Sequence, residues 1–297
     1  MKSHHVIVSC VLLLAPAAVR AGLIVGIGNS GPAFTGTTFL AVDPHTGSTT
    51  SFGQFFSSQY VAASSSPVDG TFFAMSPVNM YRINPVTGEF VGYLCFIAED
   101  CNHAGGEPAY DPSNQNIYSV NNAVLVQVVD KGLLPPGIGP PGSHRVAYEL
   151  IGDLGVSGIG VMEYIPGLGL YGTDGIHAGY VINETTGHAT LLAPLTGVLM
   201  PITGLAYDFD TGRLLASAGV LFGTGPGMIY QLDPATGHAT LLNGQAGNLV
   251  GIAYTTIPET RPVWMLAVGL ALLCTLRKYP SRLCQRDTGR NSHRCAE

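Results

Sequence analysis

The sequence predicts an all-β protein, a β-propeller of five four-stranded blades. Three observations carry that prediction. A turn recurs together with its flanking strands, a strand marker recurs at blade-length spacing, and no unit contains ten residues of helical periodicity.

The turn is clearest in residues 228–242, two short apolar runs joined by Asp233-Pro234-Ala235-Thr236-Gly237. Pro presets a turn-compatible φ, the Asp side chain caps the turn, and Gly supplies the positive φ that closes a hairpin with a bulge. The unit recurs at Asp43-Pro44-His45-Thr46-Gly47, Asn84-Pro85-Val86-Thr87-Gly88 and Asn183-Glu184-Thr185-Thr186-Gly187, and residues 186–192 are identical to 236–242. In each copy the strand entering the turn is the third of a blade and the strand leaving it is the fourth.

The marker is a short run ending in Ala-Tyr or a relative of it. Its copies start at Tyr60, Glu107, Val161, Gly204 and Gly251, separated by 47, 54, 43 and 47 residues. Such periods suit a propeller blade or a helical solenoid unit, and the strand content selects the propeller. Alternation within strands is weak because blades are covered on both faces. The last copy, residues 248–254, supplies only a first strand. Residues 23–28, 39–42 and 48–53 supply a second, third and fourth. Together they make one blade shared by the two ends of the ring, which removes the free edges. Residues 22–256 give 47 per blade for five blades and 39 for the alternative of six.

Two segments depart from the repeat. Residues 131–145 hold four Pro and four Gly where a Thr-Gly hairpin is expected, which predicts a long irregular loop. Cys95 and Cys101 bracket five residues. In an exported chain they read as a local disulfide, the alternative being two free thiols.

Of the 297 residues, 46% are hydrophobic and 11% charged, with 39 Gly and 20 Pro, a composition that favours strands and turns. The net charge of −6 hides a division. Residues 22–256 carry 4 Lys+Arg against 16 Asp+Glu, a net of −12, whereas residues 277–297 carry 6 against 2, a net of +4. An acidic body disfavours nucleic acid. Residues 1–21 read as a secretory signal peptide, with Lys2, an apolar stretch over 6–14 and a Val19-Arg20-Ala21 cleavage site.

Near the C-terminus, Ile257-Pro258-Glu259-Thr260 precedes an apolar segment over 263–276 and then Arg277-Lys278. This order over residues 257–278 resembles the PEP-CTERM sorting signal of bacterial exported proteins. The resemblance implies recognition at Pro258 and Glu259 by an exosortase-like processing enzyme. Fourteen apolar residues span about 21 Å as a helix, short for a bilayer, with Trp264 and Arg277-Lys278 at its ends; the alternative is a buried core helix. The basic tail, 279–297, reads as disordered.

No nucleophile elbow, His-Glu-x-x-His or phosphate loop appears, so no catalytic residue is assigned. Gly26-Ile27-Gly28-Asn29-Ser30-Gly31 fits a dinucleotide fingerprint but lacks a following helix, and reads as a strand end and turn. The Asp-Pro-x-Thr-Gly turns have too few oxygens each for calcium, and His188 and His238 read as exposed turn residues. Glu163 stands where other copies of the innermost strand have Ala, and Glu107 where others have Gly. Both are expected to face the central channel and to bind a divalent cation or a polar ligand. The resulting expectation is an exported, surface-anchored, non-catalytic binding module, held at the membrane by its C-terminal segment, with a surface or matrix polysaccharide or a protein as partner. The alternative is a channel-sited hydrolase or lyase using a bound divalent cation.

Overall fold

The computed structural model describes residues 20–30, 36–55, 62–65, 70–75, 79–87, 89–96, 106–133, 144–219, 227–247 and 249–258, and every regular element among them is a β-strand. In chain order these are β1 (Arg20–Ser30), β2 (Gly36–Val42), β3 (Thr49–Phe55), β4 (Ala62–Ser64), β5 (Phe72–Met75), β6 (Asn79–Ile83), β7 (Phe90–Phe96), β8 (Ala109–Asp111), β9 (Asn116–Asn121) and β10 (Val124–Leu133). They continue as β11 (His144–Asp153), β12 (Val161–Ile165), β13 (Gly169–Thr173), β14 (Ala178–Ile182), β15 (Ala189–Pro194), β16 (Ile202–Asp208), β17 (Arg213–Ala218), β18 (Met228–Leu232), β19 (Ala239–Asn243) and β20 (Leu249–Pro258).

The strands form a β-propeller arrangement. Three sheets have four strands, in the orders β20-β1-β2-β3, β12-β13-β14-β15 and β16-β17-β18-β19. The first of these joins the chain ends as expected, with Ile24 opposite Tyr254 and Val25 opposite Ala253. Strand β1 begins two residues inside the expected leader, because Arg20 and Ala21 pair with Pro258 and Ile257. Residues 1–19, Glu259 and the rest of the expected sorting segment and tail, Cys101 and the side chain of Cys95 lie outside the described residues.

The remaining strands differ from the expectation of separate units. They form one eight-stranded sheet, β4-β5-β6-β7-β11-β10-β9-β8, joined through a parallel pairing of β7 with β11. The expected loop over 131–145 is also shorter, since Lys131 and Gly132 extend β10, and Leu133 still pairs with His144 across β10 and β11. The first Pro of this stretch is Pro135, and the residues before it through Leu133 are free to pair.

At 43–47, 183–187 and 233–237 the repeated segment forms the turn its residues dictate. The Gly N–H donates to the first residue's carbonyl at 2.8 Å in Gly47, Gly187 and Gly237, with φ of +66°, +76° and +70°. The Asp or Asn side chain accepts from the backbone two residues on, as in His45 N–H to Asp43 at 2.8 Å. These carboxylates are therefore engaged in closing turns, and hydrogen bonds hold Asp43 and Asp233 below the usual carboxylate range.

The same turns clasp neighbouring sheets. Thr196, beyond the end of β15, exchanges two backbone hydrogen bonds with the β18–β19 turn, accepting from Ala239 at 2.8 Å and donating to Gly237 at 2.9 Å. Ala189 donates to Leu154, beyond β11, at 2.9 Å, and Asn243 of β19 donates its side-chain amide to Gly47 at 2.8 Å. A Cβ at Gly187 or Gly237 would strike the carbonyl of Gly152 or Pro194. Glycine is thus needed twice, for its φ and for the close approach of the next backbone.

Between neighbouring groups of strands lie separate apolar clusters. Phe39 and Phe72 meet edge to face at 5.5 Å, and Tyr171, Leu214 and Tyr230 fill the space between β12–β15 and β16–β19. Full burial of each such side chain is worth about 1.5–3 kcal/mol.

Candidate functional site

The short strands β4, β8 and β12, together with β16 and β20, converge, and their residues Ala63, Ala109, Met162, Leu205 and Ala253 are buried. Among these apolar positions the sequence inserts two carboxyls. Glu107 and Glu163 are each 1% exposed.

Glu107 sits just before β8. One carboxyl oxygen accepts from Leu205 N–H of β16 at 2.9 Å and the other from Ala63 N–H of β4 at 3.3 Å. Its own N–H donates to the Gly160 carbonyl at 2.8 Å. Gly204 leaves the room this carboxyl fills, for a Cβ there would lie 2.9 Å from Glu107 Oε1. Glu163, on β12 opposite Tyr171, accepts from Ser65 Oγ at 2.7 Å and from Tyr164 N–H at 3.0 Å, and the Tyr207 N–H also stabilises its charge. Ser65 in turn accepts from Tyr254 N–H of β20 at 3.0 Å. The two carboxyls and Ser65 therefore link strands from every sheet through backbone N–H groups.

Burial raises the pKa of both carboxyls. It pushes Glu163 up to about 8, against the pull of the Ser65 hydroxyl and the backbone donors. Glu107 is held well above the usual carboxylate range, chiefly by burial, with the Glu163 charge adding to the effect. Glu163 therefore holds a proton at neutral pH, and Oε2–H can donate to Ser65 Oγ in place of the reverse bond. Among the described residues no group of three or more His, Cys, Asp or Glu is placed to hold a metal ion.

The structure thus brings together the two glutamates that sequence singled out, and adds Ser65, which nothing in the run Ser64-Ser65-Ser66 distinguishes. His188 and His238 are exposed, as read. A cavity of about 390 Å³ opens between the β5–β6 and β8–β11 parts of the eight-stranded sheet, with Phe73 and Tyr110 on its wall, 6.5 Å between ring centroids. Gln115 lines it with a left-handed backbone, φ +63°, in the turn where Gln115 N–H donates to Asp111 at 2.8 Å. The matching turn ends in Gly212, whose N–H donates to Asp208 at 2.8 Å. A residue with Cβ in that conformation costs about 1–2 kcal/mol relative to glycine. The signal available in sequence was this replacement of Gly212 by Gln115 at the end of an Asp-initiated turn.

No protein-family model matches the chain, and no curated protein matches it. Among solved structures, the chain is similar to one in the crystal structure of a nidogen/laminin complex, at 13% identity over 79% of this chain and 98% of the other, with a TM-score of 0.45. Glutaminyl cyclase from Myxococcus xanthus is similar at 15% identity over 71% and 75%, with a TM-score of 0.42. A protein of unknown function from Bacteroides caccae is similar at 11% identity over 80% and 99%, with a TM-score of 0.45.

Proposed function

We propose that the chain is an exported, surface-anchored binding module built on a five-bladed propeller, without a catalytic role. The observation that carries this reading is the state of the axis. Its two carboxyls are both bonded to backbone N–H groups of the inner strands, as struts of a closed ring, while a lined cavity lies off the axis. The five-blade count follows if β4–β7 and β8–β11 are each one blade whose outer edges have paired; five apolar clusters among the described residues then occupy the five joints.

Export removes residues 1–21 or nearly so, and an exosortase-like enzyme acts at Pro258-Glu259, after the residue at which β20 ends, so that the closing strand is retained whole. Mass spectrometry of the protein from its native cell, with fractionation, tests this. Termini near residues 20–22 and 258 in an envelope or extracellular fraction are expected; an intact 1–297 chain in the cytoplasm overturns the reading.

The alternative, a channel-sited hydrolase or lyase, draws on one observation, that burial keeps a proton on Glu163 at neutral pH, as a general acid needs. A divalent cation or polar ligand at Glu163 and Glu107 belongs to the same alternative. Turnover, or divalent-ion binding, that is lost on Glu163→Gln would establish it over the non-catalytic reading.

A further inference from the structure

We propose that the cavity between β5–β6 and β8–β11 is a binding site for a neutral saccharide chain. The proposal rests on the binding-module reading and names the ligand of that module. Its volume, about 390 Å³, is within the range of small-ligand sites.

The lining has two parts. Phe73 and Tyr110, 6% and 8% exposed, are largely buried and give the cavity a narrow apolar floor for the C–H groups of a pyranose to rest on. Around them stand Arg82, Gln115, Gln127 and Asp130, all planar polar groups. A carboxamide offers a donor and an acceptor side by side, which matches two adjacent sugar hydroxyls; guanidinium and carboxylate do the same with donors or acceptors alone. The Gln115 and Gln127 side chains make no hydrogen bond to any described residue, so their capacity is available to a ligand. Asp130 is held in place by Gly132 N–H at 2.7 Å and by His144 Nδ1 at 2.7 Å.

Gln115 adds an independent sign. It keeps a left-handed backbone that glycine adopts freely in the matching turn, and its side chain lies on the cavity wall. Strained positions of this kind cluster at binding sites, and here the strained residue is also a lining residue. Charge selects among saccharides. One guanidinium and one carboxylate leave the cavity near neutral, and the body at −12 repels a polyanion. A neutral glycan satisfies both.

Affinity electrophoresis of the mature protein tests the proposal, with dextran, amylose and galactomannan as neutral probes and alginate and polygalacturonate as acidic ones. Retardation by at least one neutral probe is expected, weakened tenfold or more in Gln115→Gly and in Gln127→Ala, with Gln115→Gly melting no lower than wild type. Retardation by acidic probes alone, lost in Arg82→Gln, overturns the neutral class. Neutral binding that survives both glutamine substitutions overturns the cavity as its site. Absence of retardation by every probe overturns the saccharide ligand, while the location and termini of the native protein still decide the module reading separately. Competition of neutral binding by a peptide, rather than by the cognate oligosaccharide, likewise overturns it.

Discussion

The sheets that carry a Thr-Gly turn and the joint that lacks one hold their neighbours by different means. At β12–β15, at β16–β19 and at the sheet shared by the chain ends, the turn between third and fourth strands reaches back to the preceding sheet and bonds to its exit. The β10–β11 pair has no such turn, and β11 instead lies parallel to β7, edge to edge, at Leu94, Cys95 and Phe96. The repeated motif is therefore more than a local hairpin closure. In these three sheets it also ties the turn to the exit of the sheet before it, and at β10–β11, where no such turn reaches back to β7, the outer edges pair as exposed strands tend to. The cavity with Gln115 lies at that one joint.

The largest expected effect acts on the axis, where both regions meet. The Glu163 pKa is about 8 in the fold against 4.5 unperturbed. A folded-state pKa that is raised means stability is full below about pH 4.5 and is lost as pH rises through 8, by on the order of 5 kcal/mol. Glu107 acts in the same direction. Denaturant melts from pH 4.5 to 9 should fall, and Glu163→Gln should flatten much of the fall, because its amide can donate to Ser65 as the protonated acid does. An unchanged pH profile in that variant would separate Glu163 from the effect.

Breaking one clasp comes next. Gly237→Ala should destabilise by about 3 kcal/mol, since it combines a left-handed φ with a strike on the Pro194 carbonyl. Gly132→Ala in the clasp-free region has φ +93° but open space around the new Cβ, and should cost only about 1 kcal/mol. Equal losses in thermal melts of the two would refute the clasp. Ser65→Ala removes the link between Glu163 and Tyr254 N–H and should cost about 1–3 kcal/mol, read by the same melts.

The smallest effect is a gain. Asn122 and Ala123 form the two-residue β9–β10 turn, both with positive φ, +47° and +65°. Such a turn favours glycine at its second position. Ala123→Gly should raise stability by about 0.5 kcal/mol, the released strain exceeding the added chain entropy. A loss would mean that the clasp-free region tolerates its backbone by some contact that Ala123 provides.

Much of this architecture was legible beforehand. Asp233–Gly237 announces a hairpin because its residues have few other conformations, and the Ala-Tyr spacing announces the repeat. The sharing of a sheet by the two ends followed from a first strand at 248–254 with no partners and three strands at 23–53 with no first. The glutamates at 107 and 163 were visible as polar intrusions into an apolar series. The merged eight-stranded sheet was not, because which edge a strand presents to a neighbour depends on distances between units, and β10 and β11 gave no motif to read. Ser65 was silent for a related reason: one hydroxyl among three consecutive serines is selected only by what approaches it.

Local chemistry in the chain by itself determined the strands, the turns between them and the closing of the ring, since φ preferences and apolar runs act over a few residues. Only the tertiary structure decided what each turn grips, that the axial carboxyls bond to backbone donors of distant strands, and that a lined cavity opens at the joint without a clasp. Those outcomes depend on the approach of segments up to about two hundred residues apart, as between Gly47 and Asn243, and such approaches are set by packing of whole sheets rather than by neighbours in sequence.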